Sequence, residues 1–355
     1  APKDNDGKGI IRFKGPVTVI DNSAFFGQGM LTQVSLPETV EIIYQYAFQE
    51  CTKLENVTLP KSLKSIYSWA FRQCAFSAIE LPSGLQVIGN HAFMDCDNLE
   101  TVNIPESVES IGSNPFQYCD GLKSFSGKYA TSDGKCLVTE ENGLKTVVSF
   151  AIGNEDLVYI MPDDIDVVGE GAFYYANFQH VILPEGLSAI NQHGFRQCPK
   201  LLDVTIPSSV NYIGKQAFYA CSSLEWIKIN NTLDVIKTDG SDTDENTFAF
   251  EYSYCPIYVP GDLLEYYKVY RYWKFGADRY QAAQGNSEIW YTTTDGTKLT
   301  LPADSEFASS DYTHTYSDAK GVIKKNEGTI TAIPSMAFAD CSKLKTISLP
   351  ESVIM

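Results

Sequence analysis

The chain has 355 residues and a formal net charge of −17, and 44% of its residues are hydrophobic. This composition is typical of a folded protein with a sizeable core and argues against a disordered chain. An acidic surface repels phosphate groups, so we expect neither nucleic acid nor anionic lipid as a partner. No apolar run of about 18 residues occurs, so the sequence predicts no membrane-spanning segment.

One phrase recurs along the chain at steps of 22 or 23 residues within each run. It begins with Ala-Phe, as at Ala47-Phe48, and Pro115-Phe116 and Gly194-Phe195 are variants. Cysteine usually follows three residues after the phenylalanine, and L-x-x-[VI]-x-[IL]-P and [VL]-x-x-I come next. Such a fixed order of apolar positions indicates a repeat architecture.

Each repeat can be interpreted physically. The V-x-I alternation predicts a half-buried strand, which the following proline ends. Ala-Phe-x-x-Cys predicts a turn or a short helical segment. A unit of this size cannot bury its own apolar side, so stacked units share one core, which predicts a solenoid. We expect the phenylalanine and cysteine columns to form that core: Phe25, Phe48, Phe71, Phe93, Phe116, Phe173, Phe195, Phe218, Phe338, Cys51, Cys74, Cys96, Cys119, Cys198, Cys221 and Cys341.

The nine cysteines allow two interpretations. Stacked strands lie about 4.8 Å apart, which is close enough for a ladder of disulfides. Alternatively, each thiol is a small buried apolar group. The odd total and the presence of Gln28 and Ala176 in the same slot favour buried thiols. Clustered Cys-x-x-Cys pairs are absent from the sequence, so we predict no zinc site.

The recurring motif I-x-x-x-AF-x-x-C-x-x-L-x-x-V-x-I-P-x-x-V resembles the BspA-like leucine-rich-repeat family of bacterial surface proteins, over residues 17–120, 165–230 and 330–355. The resemblance implies a leucine-rich-repeat solenoid of β-rich α/β class. Each repeat would hold one short strand plus a turn or short helical segment. The solenoid would be right-handed and curved, and a strand-plus-helix cap would close its C-terminal end.

The same resemblance suggests how the chain is divided. Residues 1–283 would form a first array, with repeats at 17–125 and 165–235, a degenerate hairpin-bearing repeat at 126–164 and a cap at 236–283. Residues 284–355 would begin a second array, with a non-repeat opening segment at 284–320 and a truncated repeat at 321–355. We expect the export signal and the anchor to lie outside this fragment.

Few residues suggest catalysis or metal binding. His91 and His193 both lie two residues before a repeat phenylalanine, so they occupy a recurring surface slot, and His180 and His314 lie in no recognisable motif. Neither a nucleophile elbow nor a phosphate-binding loop occurs. We therefore predict no enzyme, no catalytic residue, no cofactor and no metal. The acidic stretch Asp239 to Asn246 lacks the full calcium-loop pattern, and whether it binds calcium stays open.

Two surfaces are candidates for binding. The aromatic run from Tyr252 to Tyr280 could stack on sugars, but its apolar spacing favours an amphipathic cap helix, with Leu263, Tyr266, Tyr267 and Tyr270 on one face. The other surface is the concave face, where we expect Trp226 to be exposed and to serve as a hot spot. Its outward residues are Gln33, Ser35, Asn56, Thr58, Glu80, Thr101, Asn103, Asp203, Thr205, Trp226 and Lys228. A solvated face without a ligand is the alternative.

These observations predict a non-catalytic binding protein. The resemblance implies that it is secreted or displayed on a bacterial cell surface and that it acts as an adhesin through the concave solenoid face. Expected partners are host extracellular-matrix or cell-surface proteins, or other bacteria. The alternatives are a surface protein that captures glycans or nutrients, and a structural spacer for another domain.

Overall fold

The computed structural model describes residues 14–230, 249–260, 264, 279–283, 288–303, 305–317, 320–334, 337–350 and 353. Their dominant feature is a β-solenoid of about nine turns. Within these residues the only helix with a defined range is the 3-10 helix Glu306–Ala308. The helical part of the predicted cap, with Leu263, Tyr266, Tyr267 and Tyr270, lies outside the described residues, as does the acidic stretch 239–246.

The first five repeats contain nine strands, which are β1 (Val19–Ile20), β2 (Gln33–Ser35), β3 (Ile42–Ile43), β4 (Asn56–Thr58), β5 (Ser65–Ile66), β6 (Val87–Ile88), β7 (Thr101–Ile104), β8 (Ser110–Ile111) and β9 (Ser124–Gly127). The two-residue strands form one parallel sheet in the order β1-β3-β5-β6-β8. The longer strands pair separately, β2 with β4 and β7 with β9. Most repeats therefore carry two strands, not the single strand predicted from the V-x-I pattern.

An antiparallel hairpin then interrupts the repeats. Its strands are β10 (Cys136–Glu141) and β11 (Leu144–Phe150), and β12 (Val158–Ile160) follows. The hairpin joins the solenoid because β11 pairs in parallel with the next two-residue strand, through Thr146 and Val167. Phe150 lies with its ring centroid 5.1 Å from that of Phe173, so the hairpin supplies its own ring to the core.

The remaining repeats continue both sheets. Their strands are β13 (Val167–Val168), β14 (His180–Ile182), β15 (Ala189–Ile190), β16 (Asp203–Ile206), β17 (Tyr212–Ile213), β18 (Trp226–Ile229), β19 (Ile257–Pro260) and β20 (Tyr280–Ala283). One sheet has the order β10-β11-β13-β15-β17, and the other has the order β12-β14-β16-β18-β19-β20. The strand predicted for the cap corresponds to β19.

Turns, not helices, carry the Ala-Phe segments. The residues two before and two after the phenylalanine have left-handed backbone conformations, as at Trp69 (φ 57°) and Gln73 (φ 61°). Such conformations cost energy for residues other than glycine. They persist here because each turn hydrogen-bonds to the next repeat: the Phe71 N–H donates to the Ala92 carbonyl at 2.8 Å. The described repeats thus have the turn that the sequence offered as one alternative, and the short helical segment is not confirmed.

Stacked rings fill the core. The Phe48, Phe71 and Phe93 rings are fully buried, and neighbouring centroids lie 5.2 and 5.5 Å apart in nearly parallel planes. Phe25, at the N-terminal end of the column, is only partly buried. Each unit thus covers the apolar side of its neighbour, which is how a solenoid obtains a continuous core.

The cysteines are all free thiols, and eight of the nine are buried. Six of the seven column thiols, all except Cys341, donate a hydrogen bond to the carbonyl of the phenylalanine one repeat earlier, as from Cys96 Sγ to Phe71 O at 3.2 Å. Burial raises the pKa of the Cys119 and Cys198 thiols, which keeps them protonated as donors. The disulfide ladder does not form.

The C-terminal residues form an antiparallel sheet. Its strands are β21 (Glu288–Thr293), β22 (Tyr312–Ser317), β23 (Lys320–Lys325) and β24 (Leu344–Ser348), in the order β22-β23-β21-β24. Ile289, Tyr291 and Phe307 are buried in its core, whereas Phe338 and Cys341 are only partly buried. The division of the chain at residue 283 stays a prediction.

Candidate functional site

Three parallel sheets carry the longer strands of successive repeats: β2-β4, β7-β9 and β12-β14-β16-β18-β19-β20. We call them together the strand wall. It corresponds to the predicted concave face. Side chains alternate along each strand, so every second residue points outward. Parallel pairing aligns these outward residues in rows. One row runs Val158, His180, Asp203, Trp226, and the other contains Ile160 beside Ile182.

The N-terminal part of the strand wall is polar and open to solvent. Seven of the predicted binding residues are exposed there: Gln33, Ser35, Asn56, Thr58, Glu80, Thr101 and Asn103. Glu80 lies outside the assigned strands. Short side chains give this part a flat surface with hydrogen-bonding groups, and the Ser126 hydroxyl already donates to Asn103 Oδ1 at 3.0 Å.

Further along the strand wall, in the sheet that begins with β12, lies a group of exposed aliphatic residues. Val158 is 44% exposed, Ile160 is 64% exposed and Ile182 is 42% exposed. We call these three residues the apolar patch. Ile160 and Ile182 are direct register partners on β12 and β14, so their side chains lie side by side. Sequence reasoning missed these residues, although V-x-I in "LVYIMP" and Ile182 in "HVILP" show apolar residues at outward positions.

An ion pair borders the apolar patch. His180 Nδ1 lies 2.8 Å from Asp203 Oδ2. The hydrogen bond to Asp203 raises the pKa of His180, while burial raises the pKa of the Asp203 carboxyl against the opposing effect of His180. Asp203 is therefore not the exposed residue that the sequence predicted, because His180 on the adjacent strand pairs with it.

The C-terminal end of the strand wall is covered. Trp226 is only 3% exposed and clusters with Tyr258 and Trp290. Its indole nitrogen donates to Thr346 Oγ1 at 3.4 Å. The prediction of an exposed tryptophan is wrong because the sheet of strands β21–β24 packs over this position, a long-range contact that a repeat pattern does not reveal.

Charged groups hold this cover in place. Lys228 is buried, and Lys320 Nζ lies 4.1 Å from the Tyr258 ring centroid and 4.2 Å from that of Trp290. Lys345 forms an ion pair with Glu225. Cations over aromatic faces contribute about 0.5–2 kcal/mol each. The strand wall is therefore open from β2 to β14 and covered at β18 and β19, with Thr205 half-buried at the boundary.

The histidines are not grouped as metal ligands. His91 Nδ1 bonds to the Asn114 carbonyl at 3.2 Å, and burial lowers the pKa of both His91 and His193. Burial also lowers the pKa of His314 to about 4. Among the residues that the structure describes, no group of three or more histidine, cysteine, aspartate or glutamate side chains is placed to hold a metal ion. Nor do they include a helix long and apolar enough to cross a membrane.

The chain matches the family model for the BspA type leucine rich repeat region, in six copies over residues 18–132, 152–240 and 310–355. Nine chains of solved structure also match. A leucine-rich repeat protein from Eubacterium ventriosum has 21% identity and a TM-score of 0.57, and the match covers 68% of this chain but only 63% of that protein. This likeness supports the fold.

Two further solved structures are similar. A leucine rich cell surface protein from Faecalibacterium prausnitzii has 20% identity and a TM-score of 0.44, over 67% of this chain and 73% of that one. The pneumococcal vaccine antigen PcpA has 18% identity and a TM-score of 0.49, over 75% of this chain and 83% of its own. No curated protein sequence matches the chain.

Proposed function

Because the chain belongs to the BspA-type leucine-rich-repeat family, we propose that it is a non-catalytic binding protein of the bacterial surface or the secreted fraction. Its contact surface is the open part of the strand wall, and its partners are proteins of a host matrix, a host cell surface or another bacterium. Family membership supports surface display and binding. The adhesin role and the partners are our proposal.

The observation that carries this proposal is the apolar patch. Single aliphatic residues are common on protein surfaces, whereas contiguous exposed apolar residues mark interaction sites. Val158, Ile160 and Ile182 are held on neighbouring parallel strands, so they form one contiguous surface. Fully burying one such side chain contributes about 1.5–3 kcal/mol, which makes the patch the strongest single source of affinity on the open strand wall.

The surroundings of the patch resemble the layout of an interface. Polar residues such as Asn103 and Thr101 lie further along the same strand wall and offer hydrogen bonds beside the apolar centre of a larger contact. A rigid repeat scaffold holds the backbone of these groups in place, which lowers the entropy cost of binding. Several copies on one surface would raise the overall avidity further.

Biolayer interferometry tests the proposal. The protein is passed over immobilised fibronectin, fibrinogen, laminin, collagen and mucin, beside a double variant with Ile160→Asn and Ile182→Asn. Leu144→Asn is the matched control, because Leu144 is an aliphatic residue that is 49% exposed on hairpin strand β11, outside the patch.

We expect saturable binding to at least one of these proteins, which the double variant loses and the control keeps. If the double variant binds as well as the unaltered protein, the patch is not the contact surface. If the unaltered protein binds none of the immobilised proteins, the spacer function is favoured and the proposal fails.

A further inference from the structure

A ridge of side chains runs along the turns of the solenoid, away from the strand wall. It consists of the residues two before the repeat phenylalanines from Phe25 to Phe218, all with a left-handed backbone. Their side chains stack on one another: the Tyr46 and Trp69 rings are 5.3 Å apart, and the Trp69 and His91 rings are 5.7 Å apart. The ridge therefore presents aromatic edges and faces in register with the repeats.

The ridge is broken where the hairpin interrupts the array. Asn114 occupies the next position but turns inward, where its Nδ2 donates to Gly171 O at 2.6 Å and its Oδ1 accepts from Ser149 Oγ at 2.8 Å. The hairpin comes next in the stack, since the Asn114 N–H donates to Val148 O at 2.9 Å. Gly171, in the repeat after the hairpin, has no side chain. The ridge resumes at His193, so neither the Asn114 repeat nor the Gly171 repeat contributes a side chain to it.

This break is a cleft of about 370 Å³ between His91 and His193. That volume lies within the range of about 300–1,000 Å³ found for small-molecule sites. Gly171 leaves the cleft open, because it has no side chain. The space beside it is empty, since a Cβ atom placed there would contact only Tyr174 Cδ2, at 3.9 Å. The walls include Asn90, Ser113, Gln117, Tyr118, Glu170 and Tyr174.

The hydrogen-bonding groups of the cleft are mainly uncharged. Burial lowers the pKa of His91 and of His193, so both imidazoles are neutral at pH 7. The Asn114 carbonyl can only accept, so His91 carries its proton on Nδ1 and offers Nε2 as an acceptor. Glu170 adds an exposed carboxylate, which disfavours anions.

Tyrosine rings form the apolar part of the cleft. The Tyr118 and Tyr174 rings meet edge to face, with centroids 5.2 Å apart. The Tyr174 hydroxyl is fixed between Arg196 Nε, which donates to it at 2.8 Å, and Gln197 Oε1, which accepts from it at 2.6 Å. A rigid ring beside amide, imidazole and carboxylate acceptors suits a ligand with an apolar ring face and many hydroxyl donors.

We propose that this cleft, between His91 and His193 and kept open by Gly171, binds a short neutral saccharide. Sugar C–H faces pack on the tyrosine rings, and sugar hydroxyls donate to Glu170 and to His91 Nε2. The site is separate from the strand wall, so its ligand can bind whether or not a protein occupies the apolar patch.

Saturation-transfer difference NMR tests the cleft, with lactose, maltose, cellobiose and diacetylchitobiose as probes. The blocking variant is Gly171→Trp, which restores the missing ridge side chain. Its backbone angle, φ 62°, is close to the 57° at Trp69, so the turn accommodates tryptophan. Ser23→Trp is the matched control: it adds the same ring to the same ridge, also at φ 57°, but outside the cleft. Glu170→Ala is a second variant on an exposed residue, for use if the blocking variant fails to fold.

We expect signals from the C–H protons of at least one probe, lost in Gly171→Trp, weakened in Glu170→Ala and retained in Ser23→Trp. Retention in the patch variant Ile160→Asn separates this site from the proposed protein contact. The inference is overturned if no probe gives a signal, or if signals persist unchanged in a folded Gly171→Trp or, should that variant not fold, in Glu170→Ala.

Discussion

The cysteine column gives a prediction that distinguishes a hydrogen-bond donor from an apolar filler. Cys96 is fully buried, and its thiol donates to Phe71 O at 3.2 Å. The same bond joins Cys119 to Phe93 at 3.1 Å. In a later repeat Ser253 makes it instead, with Oγ 2.6 Å from the preceding phenylalanine carbonyl. The slot therefore accepts a hydroxyl where its geometry is kept.

Replacing Cys96 by alanine removes the donor and leaves the buried Phe71 carbonyl without this bond. An unsatisfied buried carbonyl costs about 1–3 kcal/mol. Replacing Cys96 by serine keeps a donor and loses only the apolar sulfur surface. We therefore expect Cys96→Ala to lower the free energy of unfolding by about 1–3 kcal/mol, and Cys96→Ser to lower it by about 1 kcal/mol less.

Urea unfolding followed by circular dichroism measures both variants. Cys341 supplies the control pair, because its thiol is only partly buried and lies 3.6 Å from Thr300 O, not beside the carbonyl of a preceding repeat phenylalanine. Alanine and serine should be equivalent there. If Cys96→Ser proves less stable than Cys96→Ala, the thiol is an apolar filler and the hydrogen bond does not stabilise the repeat.

Three further predictions concern the turns, the C-terminal sheet and the covered tryptophan. Ala220 has φ 53°, so Ala220→Gly should stabilise the protein by up to about 1 kcal/mol. Ala75→Gly, at a residue that follows a turn and has no positive φ, should destabilise it, and equal signs in thermal melts would contradict this. The pKa of His314 is lowered to about 4, so this residue takes up a proton at a higher pH in the unfolded chain than in the folded protein. Stability should therefore fall as pH drops from about 6.5 to 4. His314→Gln should show a shallower fall in urea melts, and an identical fall would argue against the lowered pKa. Trp226→Ala should loosen the C-terminal sheet, so limited proteolysis within residues 288–348 should quicken, and an unchanged rate would mean that Trp226 does not hold the sheet.

The repeat pattern indicates the core because the same apolar slots recur with the period of the turns. Phe93 and Cys96 lie in the interior for the reason that the pattern suggests: a single unit leaves one side uncovered. The pattern did not separate turn from helix, since Ala-Phe-x-x-Cys has an apolar spacing that suits both. What decides for turns is the inter-repeat hydrogen bonding that stabilises left-handed residues such as Gln73.

The site was harder to predict because it depends on what the repeats do not share. Trp226 is outward on its strand, as the alternation implies, but Tyr258 and Trp290 cover it together with Thr346, which lies 120 positions later in the chain. The apolar patch was visible as aliphatic residues at outward slots, beginning at Val158. The cleft at Gly171 required the structure, since a glycine and an inward asparagine become a cavity only when neighbouring repeats are stacked.

Hydrogen–deuterium exchange on the complex with the protein bound in the interferometry panel tests the central claim most directly, because it reports where contact is made. We predict slowed exchange in peptides that cover β12 and β14, around Ile160 and Ile182, and no change in those that cover β18, which is already buried under the C-terminal sheet. If exchange in β12 and β14 is unchanged and protection appears elsewhere, the assignment of binding to the apolar patch is contradicted.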